Sequence, residues 1–182
     1  MNRIYKISFC AVFAAMYVVL ALIDIGIGPN IRLSFGSLPI IIMSLLFGPA
    51  VGVCTALVGE LLNQILTYGL TVTTPIWLLV PMIRAFIIGF GAKLYKKKFD
   101  KPIECRLPWL YVVTGVAAAA TTFFNTIAIG LDAWIFGFFS WPYVTAALAI
   151  RFAVGIVTAI ILSTISIPIV KAIKKDYGEV TL

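Results

Sequence analysis

The sequence predicts an all-α membrane protein, a bundle of six transmembrane helices with both termini in the cytoplasm. Three observations predict it: the composition, the spacing of the apolar runs and the distribution of basic residues. The chain has 182 residues, of which 62% are hydrophobic and 12% charged, and its mean hydropathy is +1.10. A soluble domain of this length exposes too much surface to hide that apolar content. We therefore expect a lipid-embedded protein with one integral-membrane domain over residues 1–182.

Six apolar runs supply the predicted spans. A helix needs about 20 apolar residues to cross the hydrocarbon core, and the run over 38–47 has only about half of that, so we expect this span to be short. Gly and Pro assign 24–34 to a loop, polar residues with Gly69 assign 67–74 to a second loop, and the aromatic density of 131–142 is typical of an interface or a lid. The predicted spans are 5–23, 38–47, 50–66, 75–95, 107–130 and 143–173.

The basic residues give the orientation. Eleven of the 14 Lys and Arg lie at the N-terminus, at the C-terminus or between the fourth and fifth spans. These regions share one side of the membrane if the spans divide four and two. Basic loops stay in the cytoplasm, so 24–34, 67–74 and 131–142 are predicted to face outward. The predicted location is the bacterial plasma membrane.

Polar side chains inside the spans are the candidate functional residues, because burying them in hydrocarbon is costly. At 1.5 Å per residue, Glu60 lies about 9 Å, Arg84 about 14 Å, Arg151 about 12 Å and Asn125 about 8 Å below the outer ends of their helices. Four helices thus place polar groups in the outer half. This predicts a ligand pocket open to the exterior. Helix-to-helix pairing of Glu60 with either arginine is the structural alternative.

Further candidates complete the predicted pocket. Asn63 and Gln64 share a helical face with Glu60. Tyr68, Arg32 and the aromatic Trp134 lie in the three outer loops, which we expect to gate the site. Trp77 and Trp109 lie near helix ends and are interpreted as headgroup anchors.

Other functional classes are disfavoured. The chain has no His, and its three Cys are widely spaced, so neither a metal site nor a disulfide framework is expected. The basic residues form clumps between apolar runs, which argues against nucleic-acid binding. No phosphate loop or nucleophile elbow is present. We predict no catalytic residues and no cofactor.

Three segments resemble the substrate-binding S component of energy-coupling-factor (ECF) vitamin transporters. They are the alanine-containing AVFAA beginning at Ala11, the stretch from Leu33 through Leu38-Pro39 to Phe47-Gly48-Pro49, and GELLNQ beginning at Gly59. The second is the most specific of the three, since small residues four apart are common in membrane helices. The resemblance covers essentially the whole chain.

The resemblance implies a transport role with partner proteins. Ala11, Ala14 and Ala15 would form the surface that packs against the transmembrane coupling subunit, the T component. Two cytoplasmic ATP-binding subunits would hydrolyse ATP, so the chain itself would not be an enzyme. The S component of this family captures a vitamin outside the cell and reorients in the membrane to release it.

The identity of the vitamin rests on weaker features. Folate members carry an aromatic-proline-glycine segment after the third span, where this chain has TYGLTVTTPI over 67–76, which argues against folate. Overall resemblance slightly favours cobalamin, followed by pantothenate as a small anion for Arg84 or Arg151. The alternative is a stand-alone secondary carrier or channel for a small solute.

Overall fold

The fold is a helical bundle of long apolar helices around one short buried helix. A computed structural model describes residues 3–23, 25–28, 31–33, 35–146 and 148–177. Within these, the helices are α1 (Arg3–Leu22), α2 (Ser37–Phe47), α3 (Pro49–Thr67), α4 (Thr74–Phe99), α5 (Leu107–Ile135), α6 (Trp141–Thr145) and α7 (Leu148–Tyr177), the strands are β1 (Ile25–Gly28) and β2 (Ile31–Leu33), and a 3₁₀ turn covers Ile103–Cys105.

Five helical segments are long and apolar enough to cross a membrane. They correspond to α1, α3, α4, α5 and the run formed by α6 and α7. Large apolar side chains on their outer faces are exposed, as expected for helices solvated by lipid. The predicted bundle of long apolar helices is therefore confirmed, whereas the count of six spans and the orientation of the termini stay predictions.

Helix α2 is the centre of the bundle. All its residues from Pro39 to Phe47 are buried, and its 11 residues reach only about 16 Å, as the short predicted span required. Gly48 follows with a φ of 84°, a left-handed conformation that favours glycine. A Cβ at Gly52 would overlap Ser44 Oγ, so α3 folds back against α2 as an antiparallel hairpin.

Two short strands lie in the segment after α1, where a loop was predicted. Strands β1 and β2 pair antiparallel, with Ile25 opposite Leu33 and an irregular register between Gly26 and Gly28. The glycines and Pro29 suggested only a turn, whereas isoleucines on both sides supply the β-branched residues that strands favour. Pro29 and Asn30 lie outside the described residues.

The outer segment before α7 also differs from the prediction. Helix α5 continues past Gly130 to Ile135, and Gly137, with a φ of 78°, lies in the turn that follows it. The five-residue α6 then precedes α7, where one continuous helix was expected. Aromatic side chains permit helix as readily as loop, so their density alone did not locate these boundaries.

The basic clusters meet at one end of the bundle, which we call the inner end. Phe9 of α1 packs against Phe47, and the buried Ile103 joins the same apolar cluster. Lys174 Nζ of α7 donates to the buried carboxylate of Glu104. The inner end is thus closed by a packed apolar layer and an ion pair. That this end faces the cytoplasm stays a prediction.

We expect Gly89→Ala to destabilise the fold. A Cβ at Gly89 of α4 would lie 2.5 Å from the Pro49 backbone N at the α2–α3 turn, an overlap worth about 1–3 kcal/mol. Gly115→Ala on α5 is the matched control, since its Cβ would meet nothing within 4 Å and alanine is the better helix former. Thermal unfolding in detergent should give a lower apparent Tm for the first variant only; equal Tm values would contradict the close packing.

Candidate functional site

The long helices enclose a cavity of about 740 Å³. Side chains from α2, α3, α4, α5 and α7, and from the segments beyond their outer ends, line it. The cavity runs deep, because Asp132 and Thr114 of α5 both line it and 18 helical residues span about 27 Å. Seven of the nine predicted ligand-binding residues face this one space: Glu60, Asn63, Gln64, Tyr68, Arg84, Asn125 and Arg151.

Glu60 is held by hydrogen bonds, and no arginine among the described side chains pairs with it. Gln64 Nε2 donates to Glu60 Oε1 at 2.7 Å, Asn63 Nδ2 lies 3.4 Å from Oε2, and the Tyr17 hydroxyl of α1 also donates to Oε2. Gly59 allows this contact, because a Cβ there would collide with the Tyr17 ring. Tyr17 was missed from the sequence, where one tyrosine in an apolar helix carries no distinguishing signal.

Arg84 is anchored across the middle of the bundle. Its Nε donates to Thr121 Oγ1 of α5 at 3.1 Å, and its Nη1 donates to Ser37 Oγ at the start of α2. The guanidinium therefore ties α2, α4 and α5 together as well as facing the cavity. Part of the role of Arg84 is therefore structural, because polar side chains often hold membrane helices together.

Arg151 differs from Arg84 in that its terminal nitrogens have no hydrogen-bond partner among the described residues. The residue is only 6% exposed, and both terminal nitrogens, Nη1 and Nη2, are buried without a hydrogen-bond partner in the described part of the chain. Leaving a buried charged donor unpaired is costly. An arginine retained in this state has its donors available to whatever occupies the cavity.

A polar stripe follows α5 along the cavity wall. Thr114, Thr121, Asn125 and Asp132 are spaced by seven, four and seven residues, which keeps them on one helical face. Opposite them, α7 contributes Thr158, whose buried hydroxyl has no partner among the described residues. The threonines were not singled out from the sequence, because a hydroxyl in a membrane helix usually bonds its own backbone.

The outer mouth contains a second carboxylate that sequence reasoning missed. Thr73, just before α4, donates to Asp132 Oδ1 at 2.6 Å. The Thr73 hydroxyl lies 3.1 Å from that of Thr71, so the α3–α4 connection is tied to the end of α5. The available signal was Asp132 as the only acidic residue in the aromatic segment 131–142.

Two predicted positions, Trp134 and Trp77, differ from expectation, and the side-chain placement of a third, Arg32, stays a prediction. Trp134 is 71% exposed and does not line the cavity, since α5 stays helical through that point and turns the indole outward; Phe136 lines it instead. Trp77, interpreted as a headgroup anchor, is a cavity residue. The backbone of Arg32 lies in β2, but its side chain lies outside the described residues.

The predicted partner surface on α1 is also reduced. Ala11 and Ala15 are exposed, whereas Ala14 is only 1% exposed and packs into the bundle. The α-helical period turns Ala14 about 100° away from Ala15. Only two of the three alanines remain available to a partner.

Comparisons with known proteins agree with this architecture. The family described as ECF transporter, substrate-specific component, matches residues 6–170. A solved structure of ThiT from Listeria monocytogenes superimposes with a TM-score of 0.70 at 21% identity, covering 95% of this chain and 97% of that one. A curated UPF0397 protein of Phytoplasma australiense is 26% identical over 134 residues, which cover 69% of this chain and 64% of the length of that relative.

We expect Thr73→Val to loosen the outer mouth. The change keeps the shape of the side chain but removes the donor to Asp132, and a hydrogen bond to a charged group contributes about 1.5–3 kcal/mol. Thr73→Ser retains the hydroxyl and should restore the apparent Tm measured in detergent. A valine variant as stable as the wild type would show that the bond does not hold the mouth together.

Proposed function

Because the chain belongs to the family of ECF transporter substrate-specific components, we propose that it captures a small water-soluble vitamin outside the cell for import by partner subunits. The vitamin enters between the outer ends of α3, α4 and α5 and binds in the cavity. ATP hydrolysis is left to the partners, since the sequence contains no phosphate loop of its own.

The observation that carries the proposal is that Nη1 and Nη2 of Arg151 are buried without a partner among the described residues. Its unpaired nitrogens line a cavity that also contains Glu60, Asn63 and Asn125. A carboxylate or another strong acceptor on the ligand would form the charge-assisted hydrogen bonds that the protein does not supply. This supports a ligand with an anionic or acceptor group.

The size of the cavity supports a small vitamin. Sites for drug-sized ligands occupy roughly 300–1,000 Å³, and about 740 Å³ lies within that range. Cobalamin, slightly favoured by sequence resemblance, is a large corrinoid macrocycle and suits this space poorly. Pantothenate, a compact carboxylate with amide and hydroxyl groups, is the better candidate.

Transport requires partners that the chain meets through its membrane face. We propose that a T component packs against Ala11 and Ala15 of α1, where two small exposed residues one turn apart let another helix approach closely. Two cytoplasmic ATP-binding subunits complete the assembly in the bacterial plasma membrane. Glu60, Asn63, Gln64, Tyr68, Arg84, Asn125 and Arg151 would contact the ligand.

We expect Arg151→Met to weaken ligand binding without lowering the stability of the protein. Replacing a buried, unpaired charge by an apolar side chain is often neutral or stabilising, so the apparent Tm without ligand should stay equal or rise. Affinity for the ligand retained by the wild type, identified by mass spectrometry, should fall more than about tenfold, or 1.4 kcal/mol. Arg106→Met, an exposed inner-end change, is the control. Unchanged affinity in the Arg151 variant would remove the arginine from the site.

We expect Ala15→Trp to block assembly with the T component while leaving ligand affinity unchanged, because the indole fills the space for the partner helix. Val116→Trp on the exposed face of α5 is the control for a bulky residue in lipid. Co-purification with the coupling and ATP-binding subunits measures the effect. Normal assembly of the Ala15 variant would place the docking face elsewhere, and concentrative uptake by the chain alone in liposomes would favour a stand-alone carrier.

A further inference from the structure

Two cavity-lining residues of α7 have buried donors without a hydrogen bond among the residues that the structure describes. The donors are the terminal nitrogens Nη1 and Nη2 of Arg151 and the hydroxyl of Thr158. Seven residues separate them, so they share one helical face and lie about 10.5 Å apart along the helix axis. One small acceptor group cannot reach both, so an occupant that satisfies both is extended.

The facing wall of α5 offers acceptors. The Thr114 hydroxyl donates to Leu110 O at 2.9 Å, and the Thr122 hydroxyl donates to Ala118 O at 3.0 Å. A hydroxyl has one proton to donate and two lone pairs to accept with. Because these protons are used within the helix, the lone pairs are what the α5 wall presents, and they require donors on the ligand.

Contacts between α5 and α7 set the relative depth of these groups. Tyr111 and Thr164 share a hydrogen bond of 3.0 Å, and a Cβ on Gly155 would lie 3.1 Å from Thr122 Oγ1. The two helices are therefore antiparallel, and Arg151 is level with Asn125. Thr158 and Thr114 lie deeper. The cavity thus has an anion-binding outer part and a hydroxyl-lined inner part.

We propose that the ligand lies lengthwise in the cavity, with an anionic group at Arg151 and a hydroxyl or amide donor directed to Thr122, three residues or about 4.5 Å further inward. Thr158, about 10.5 Å inward of Arg151, bonds a polar atom at the inner end of the ligand. This inference rests on the proposed function and narrows its substrate class to extended carboxylates that carry polar groups about 5–10 Å from the charge.

Three probes distinguish a ligand bound at both ends from one recognised by its negative charge alone. Pantothenate has a carboxylate at one end of an extended chain and hydroxyls at the other. Nicotinate has the same charge without such donors, and thiamine is a cation. Pantothenate should bind the purified protein at least tenfold more tightly than either, measured by calorimetry in detergent. Equal binding of nicotinate, or preferred binding of thiamine, would overturn the proposal.

Isosteric variants test the inner part directly. Thr122→Val and Thr158→Val keep side-chain shape and should each lower pantothenate affinity about fivefold, with little change in apparent Tm. Thr126→Val is the control, since this hydroxyl also bonds within the helix, to Thr122 O at 2.8 Å, but Thr126 is not among the cavity-lining residues. Wild-type affinity in the first two variants would refute the inward donors. If none of the probes binds while another vitamin co-purifies, the inference falls and the proposed function stands.

Discussion

The arrangement of this molecule depends on one constraint: a polar group inside the hydrocarbon region must find its partner within the protein or in something the protein encloses. Water is not available from the lipid side. Glu60 meets the constraint through Tyr17 and Gln64, and Arg84 meets it through Thr121 and Ser37. These bonds join α1 to α3, and α4 to α2 and α5, around the cavity. The same side chains that make the bundle specific therefore also make its interior polar.

Glycines allow the backbone to come close enough for those bonds. Gly59 makes room for the Tyr17 ring, and Gly89 makes room for the turn at Pro49. That turn also fixes the position of α2, and Ser37, the first residue of α2, accepts a hydrogen bond from Arg84. The sequence stretch that most resembled a known family is thus the one that sets the depth of the central helix, so its distinctiveness has a steric cause.

Much of the architecture could be predicted from the sequence because membrane helices have a strong one-dimensional signal. Apolar runs located the long helices, and their polar exceptions located Glu60, Arg84, Asn125 and Arg151 on one cavity. Segments with mixed signals were harder. The strands at Ile25–Gly28 and Ile31–Leu33 were hidden by turn residues, and the outer end of α5 was hidden by aromatics that suit several conformations.

Which polar residues pair with each other could not be predicted, because pairing depends on angles between helices. Depth alone put both arginines near Glu60, yet Arg84 donates to hydroxyls, and the terminal nitrogens of Arg151 meet no partner in the described ranges. Likewise, Ala14 and Ala15 are neighbours in the sequence but face opposite environments. Such differences arise only when the helices are packed in three dimensions.

The closed inner end has a consequence for how a solute can pass. Thr114 and Leu162 lie at the bottom of the cavity, and Leu110, Ile103 and Val170 fill the space beneath them without exposed surface. Below that layer, Lys174 forms an ion pair with Glu104. The cavity is closed at the inner end. Side-chain movements at its outer mouth can therefore let a solute in or out on the outer side only. A solute bound in the cavity could therefore reach the inner end only if the whole bundle reoriented or the helices at that end separated.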